Sequence, residues 1–156
     1  YNQVFDLPYT IVRTSALYGE RCVSRRVGQV FIENALTTGE ITLYGDGSDS
    51  LDFTYIKDLV TGVHKIIGNP NAVNQIFNIT YGKGRSLNEM ANIVKDNFPD
   101  IKIKYEPKDK LVPDRGSLSI EKAISLINYS PEYSLDSGYP EYINWYKQFH
   151  AHPPRD

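Results

Sequence analysis

Apolar positions along this 156-residue chain switch repeatedly between a strand period and a helix period. Tyr9 to Arg13 (YTIVR) is a β-branched and aromatic run bounded by Pro8 and by Ser15 to Gly19, the pattern of a short, largely buried strand. Tyr1 to Asp6 reads as the end of a helix before it. From Val27 the apolar residues Val30, Phe31, Ala35 and Leu36 lie on one helical face that stops at Gly39. Ile41 to Tyr44 then reads as a strand, Gly45-Asp46-Gly47 as a tight turn and Leu51 to Tyr55 as a further strand. Ile56, Leu59, Val60, Val63, Ile66 and Ile67 predict a helix ending at Gly68.

Gln75 to Ile79 predicts a buried strand. Ser86 with Glu89 three residues on is a capping box, and it opens a helix whose face is Leu87, Met90, Ala91, Val94 and Phe98, closed by Pro99. Ile101 to Tyr105 alternates like a strand with one wet face. Helices near Ile120 to Ile127 and Tyr139 to Phe149 complete the series, and His150 to Asp156 is a polar tail. Strands and helices alternating without an internal repeat predict an α/β fold and one compact unit.

Charge and composition narrow the function classes. Lys and Arg number 17 against 19 Asp and Glu, a net charge of −2 that argues against a strongly cationic nucleic-acid surface. The longest apolar stretches are a few residues, against the roughly 20 that a bilayer crossing takes, so no membrane partner is expected. Cys22 is the single cysteine and cannot form an internal disulfide, which fits a reducing, cytoplasmic location. The first residues carry neither a basic region nor an apolar stretch nor an initiating Met, and the chain is expected to begin within a longer protein.

Candidate chemistry is sparse. Gly45/Gly47 and Gly82/Gly84 each lack the third glycine of a dinucleotide fingerprint, Ser50 and Leu87 standing in its place. No tyrosine is followed four residues later by lysine, so an acid/base pair on one helix face is missing. Isolated carboxylates such as Asp58 and Asp114 make no readable pair, and no catalytic residue is assigned. His150 and His152 sit in the tail without a third ligand, so no metal is expected. His64 reads as a surface residue of its helix, and Cys22 as a packed thiol whose pKa falls if nearby arginines face it. Arg21, Arg25, Arg26 and Arg115 are the positive features, because guanidinium forks grip phosphate oxygens bidentately; the alternative is a solvated basic loop paired with Glu20 and Glu33. Tyr44, beside the two-glycine turn, either stacks on a base or fills a core edge.

Three segments in order resemble the C-terminal half of the extended short-chain dehydrogenase/reductase superfamily, the NAD-dependent nucleotide-sugar epimerases and dehydratases. Ile11 to Glu20 (IVRTSALYGE) resembles L-R-x-x-N-x-Y-G-P. Phe31 to Val60 (FIENALTTGEITLYGDGSDSLDFTYIKDLV) resembles F-I-x-x-A-L-x-G-x-x-I-x-L-Y-G-D-G-x-x-x-R-D-F-x-Y-V-x-D-L-V. Asp114 to Tyr146 resembles the family's arginine-containing loop, its K-A-x-x-L-G-Y-x-P and its terminal helix.

The resemblance implies the C-terminal part of a Rossmann-type fold: the edge of a parallel sheet plus a substrate-binding lobe, spanning residues 1–149 with 150–156 as the tail. It implies that the glycine-rich loop for NAD(P) and a Tyr-x-x-x-Lys lie upstream, in the parent enzyme, so that this chain alone binds no cofactor and has no turnover. The partner implied is a nucleotide-diphosphate sugar and the assembly a homo-oligomer. By position, Arg115 resembles the arginine on the substrate diphosphate, Thr42 and Tyr44 match base contacts, and Ser15 and Gln29 lie near sugar and base contacts. Two departures stand out: Ala16 replaces an Asn that bonds substrate, and Leu51 replaces a second diphosphate arginine, leaving Arg21, Arg25 or Arg26 to supply that charge. Glu20 in place of the usual proline suggests a differently shaped loop. The competing expectation is a non-catalytic sugar-nucleotide-binding or protein-interaction module. The missing sheet would leave Val30/Phe31/Leu36 or Val60/Val63/Ile67 exposed.

Overall fold

The computed structural model describes residues 1–109, 111, 113 and 115–151, the last two as backbone only. Strand β1 (Thr10–Arg13) pairs in parallel with β6 (Gln75–Asn78), Thr10 opposite Gln75 and Arg13 opposite Asn78. The parallel pairing needs a long crossover. It contains helix α3 (Ile56–Ile66), whose Leu59 and Ile66 pack with Val12 against Phe77 and Ile79. Helix α5 (Glu121–Ile127) completes this smaller cluster through Ala123 and Ile127. A short helix α1 (Asn2–Phe5) precedes β1.

The larger cluster lies under a second parallel pair, β3 (Glu40–Tyr44) with β8 (Lys102–Glu106). Ile41 and Leu43 point into it, as do Phe31 and Ile32 of α2 (Val27–Thr37), Met90, Ala91 and Val94 of α4 (Leu87–Asn97), and Tyr139, Tyr142 and Ile143 of α6 (Leu135–Ala151). The capping box forms: Ser86 Oγ accepts from Glu89 N at 3.2 Å and Glu89 Oε2 accepts from Ser86 N at 2.7 Å. An α/β architecture with parallel strands is thus present as expected.

Three boundaries differ from the sequence reading. Residues 51–55 are not one strand but two, β4 (Ser50–Leu51) antiparallel to β7 (Arg85–Ser86) and β5 (Thr54–Tyr55) parallel to β2 (Leu17–Tyr18). The break falls at Asp52, whose carboxylate draws in two distant backbone N–H groups, Gly82 and Leu118. Helix α6 starts four residues before Tyr139, because Leu135 and Tyr139 are both buried and Pro140 removes one bond near the helix start without ending it. The helix also runs into the expected tail as far as Ala151; the remaining tail residues, with Lys110, Val112 and Asp114, lie outside the described residues.

Of the two apolar faces expected to be bare, one is covered. Phe31 is buried and Leu36 packs on the larger cluster, whereas Val60 and Ile67 on the outer side of α3 are 59% and 73% exposed. Ile11 on β1 is 46% exposed, and β1 has only β6 beside it among the described strands. Parallel strands are ordinarily covered on both faces, and apolar surface of this kind drives association. The isolated chain is therefore expected to self-associate, its mean mass by light scattering rising with concentration, and Val60→Glu with Ile67→Lys should lower that mass. A monomer at every concentration contradicts this.

Candidate functional site

Beyond β1 the chain runs through Thr14, Ser15 and Ala16 into β2, then loops back to the start of α2. Three non-glycine residues along this stretch adopt positive φ: Ala16 (33°), Arg21 (61°) and Arg25 (43°). Such strain persists only where surrounding structure imposes it and clusters at functional sites. Here it shapes one wall of a cleft of about 710 Å³. The facing wall is Leu51 and Phe53 with Leu87 and Met90 of α4, and Arg115 closes one side. Arg115 also reaches an adjoining hollow of about 150 Å³, shared with Ser50, Leu51, Leu87, Pro113 and Asp49, whose carboxylate accepts from Lys108 Nζ.

The charge of the cleft has one sign. Arg25, Arg26 and Arg115 line it, and among the described residues no carboxylate does. The start of α2 adds to this. Arg26 is its N-cap, no side chain caps it, no acidic residue occupies its first turn, and Val27 and Gly28 line the cleft. First-turn N–H groups lack intrahelical acceptors and lie at the positive end of the helix dipole. The Arg26 side chain donates to Ser24 Oγ, at 3.3 Å, and neither Arg26 nor Arg115 is paired with a carboxylate among the described residues.

Arg25 is different. Its Nε donates to Glu33 Oε2 at 2.9 Å, while Glu33 Oε1 accepts from Gln29 Nε2 at 2.7 Å and from the Tyr146 hydroxyl at 2.8 Å. Part of the bland reading, a basic loop paired with Glu33, therefore holds for Arg25; Glu20 instead accepts from the Tyr55 hydroxyl at 2.6 Å. Burial alone would raise the Glu33 carboxyl, but the bonds from Tyr146, Gln29 and Arg25 outweigh it and hold the group below its usual range. Ionised Glu33 thus contributes stability that is complete above the unfolded pKa of about 4.3 and is lost as pH falls through the lower folded value. Glu33→Gln should lower the urea midpoint at pH 7, and its difference from the unmodified chain should shrink below about pH 4; an unchanged difference contradicts this.

The structure brings Ser15, Arg25 and Arg115 into one cleft. Gln29 sits in the first turn of α2, buried and bonded to Glu33 rather than lining the cleft, with its Oε1 left without a protein donor. Thr42 and Tyr44 lie on the side of β3 opposite Ile41 and Leu43, Tyr44 58% exposed, and neither lines the cleft. Of the three loop arginines, Arg25 and Arg26 face the cleft and Arg21 is not among its lining residues. Cys22 lines the cleft too. Burial pushes its thiol up, but hydrogen bonds from Ser24 and from the backbone of Ser24 and Arg26, with the Arg26 charge, bring it below its usual value. His64 is exposed on α3, no group of metal-ligating side chains occurs among the described residues, and no described helix is long and apolar enough to cross a membrane.

Two features escaped the sequence reading. The helical period places Leu87 and Met90 on a core face and gives no sign that they also line the cleft, and the anchoring role of Asp52 leaves no periodic trace. The cleft combines guanidinium groups, a helix start and an apolar wall, a lining whose chemistry suits an anion.

The family model for the NAD dependent epimerase/dehydratase family matches residues 1–80, about half of the chain. A putative UDP-glucose 4-epimerase of Methanocaldococcus jannaschii is 34% identical over 152 residues, covering 94% of this chain and 48% of that protein. An uncharacterised UDP-glucose epimerase of Bacillus subtilis is 31% identical over 140 residues, covering 88% of this chain and 44% of its own length. Among solved structures, the UDP-glucuronic acid 4-epimerase of Bacillus cereus in complex with UDP-glucuronic acid and NAD matches with a TM-score of 0.86 at 25% identity, over 96% of this chain and 48% of that one. The chain thus spans about half the length of the relatives it matches.

Proposed function

The chain belongs to the NAD dependent epimerase/dehydratase family, and on that premise we propose that residues 1–149 are the nucleotide-sugar-binding part of an epimerase or dehydratase whose cofactor-binding half precedes them. The observation that carries this reading is the cleft with three arginines and no carboxylate among its described lining residues. A diphosphate is the dianionic group such a lining suits, and the names of the relatives, which include UDP-glucose and UDP-glucuronic acid epimerases, supply the nucleotide sugar as its carrier.

In this proposal Arg26 and the first amides of α2 hold one side of the diphosphate and Arg115 the other, with Arg25 kept in place by Glu33. Ser15 lies where the sugar would pass along the cleft, and Phe53, Leu87 and Met90 exclude water beneath it. The base contacts assigned to Thr42 and Tyr44 require the nucleoside to leave the cleft and reach the outward face of β3. The lone thiol suits a cytoplasmic protein.

NAD(P) belongs in this proposal to the whole enzyme, where it supplies a hydride acceptor. The residues described do not fit it. The helices that follow strands directly are α3 and α4, their first turns hold Asp58 and Glu89, and the Ser86–Glu89 capping box already fills the start of α4. An acidic first turn repels a pyrophosphate, so no step through the cofactor is assigned to these residues. The test is calorimetric titration of the chain with UDP-glucose, UDP and NAD separately. Saturable binding of both uridine compounds without NAD binding is the expected result, and absence of UDP and UDP-glucose binding overturns the reading.

A further inference from the structure

Arg115 is exposed, lies in an irregular stretch, and is paired with no carboxylate among the described residues, so its place at the cleft depends on how the backbone after it is held. Two side chains hold it. Asp52, fully buried, accepts the Leu118 N–H on Oδ2 at 3.1 Å and the Gly82 N–H on Oδ1 at 3.0 Å. Asn78 Nδ2 donates to the Ser119 carbonyl at 2.8 Å. Asp52 also lies between Leu51 and Phe53, both in the cleft wall, so one carboxylate ties that wall to the segment three residues beyond Arg115.

We infer that Asp52 is a positioning residue for Arg115: it touches no ligand and sets the guanidinium at the height where it meets an anionic group in the cleft. This rests on the functional reading above and deepens it, because it names the element that makes Arg115 part of the site. The sign of the effect separates it from plain electrostatics. Removing a carboxylate from beside the cleft wall strengthens anion binding by Coulomb's law, whereas releasing the loop weakens it.

The test is calorimetric titration of the chain with inorganic pyrophosphate and with UDP, for the unmodified protein, Asp52→Ala, Arg115→Ala and the double variant. Asp52→Ala should weaken both ligands about tenfold, a charge-assisted bond's worth of placement. On top of Arg115→Ala it should change affinity by less than about twofold, since a shared action is not additive. If Asp52→Ala fails to fold by circular dichroism, Asp52→Asn, which keeps the volume and one acceptor oxygen, is read in its place with the same sign expected. Unchanged or tighter binding, or a loss that adds to that of Arg115→Ala, overturns the inference while leaving the cleft's function standing. If the unmodified chain binds neither ligand, the functional reading falls and this inference with it.

Discussion

Arg26→Ala and Arg115→Ala each weaken UDP binding by roughly ten- to a hundredfold, and the double variant binds no measurable UDP. The magnitude follows from charge-assisted hydrogen bonds, worth about 1.5 to 3 kcal/mol each when the acceptor is desolvated. Neither guanidinium is engaged by a carboxylate among the described residues, so their removal leaves the fold unstressed. The contrast is Arg25. Its bond to Glu33 makes Arg25→Ala a change in stability as well as binding, and it lowers the urea midpoint where the other two do not. Equal affinity in all four proteins, measured by calorimetry, means that the cleft binds no anion.

Asp58→Ala has the largest expected effect on folding. Asp58 is 2% exposed in the first turn of α3, and its two oxygens accept the N–H groups of Glu132 at 2.8 Å and Tyr133 at 3.1 Å. These bonds fasten α3 to the segment leading into α6, and so tie the smaller cluster to the larger one. Truncation leaves both donors without an acceptor, at about 1 to 3 kcal/mol each. The total of roughly 2 to 6 kcal/mol corresponds to a fall of about 4 to 24 °C in melting temperature for a domain of this size. Asp58→Asn retains one oxygen and should lose about half as much. A melting temperature within about 2 °C of the unmodified chain for Asp58→Ala contradicts this account.

Much of the scaffold is readable from residue pattern because it is written in local terms. The helices α2, α3 and α4 carry an unbroken 3.6-residue apolar face, and α4 adds a capping box whose two reciprocal bonds form as the spacing requires. The strands β1, β3, β6 and β8 are long enough for their composition to register. By contrast β2 and β7 have two residues each, too few to carry a period, and their partners lie far away in sequence. The split at Asp52 depends on Gly82 and Leu118 arriving from elsewhere, which no window around residue 52 contains.

The cleft divides in the same way. Arginine is legible as a phosphate ligand, but the choice among Arg21, Arg25 and Arg26 is made by backbone conformation and by Glu33 eight residues on from Arg25, not by local sequence. Leu51, where the family resemblance places an arginine, lines the cleft as an apolar residue. That shifts the proposed grip onto Arg26 and the start of α2. Alternation along β3 puts Thr42 and Tyr44 on its outward face, so the base contacts proposed for them lie outside the cleft lining.

The most direct measurement is a crystal structure of the chain soaked with UDP-glucose. The account predicts a diphosphate lying between the guanidinium groups of Arg26 and Arg115, with an oxygen within hydrogen-bond reach of the Val27 or Gly28 amide. A nucleotide sugar seated elsewhere on the molecule, with that cleft holding solvent alone, contradicts it.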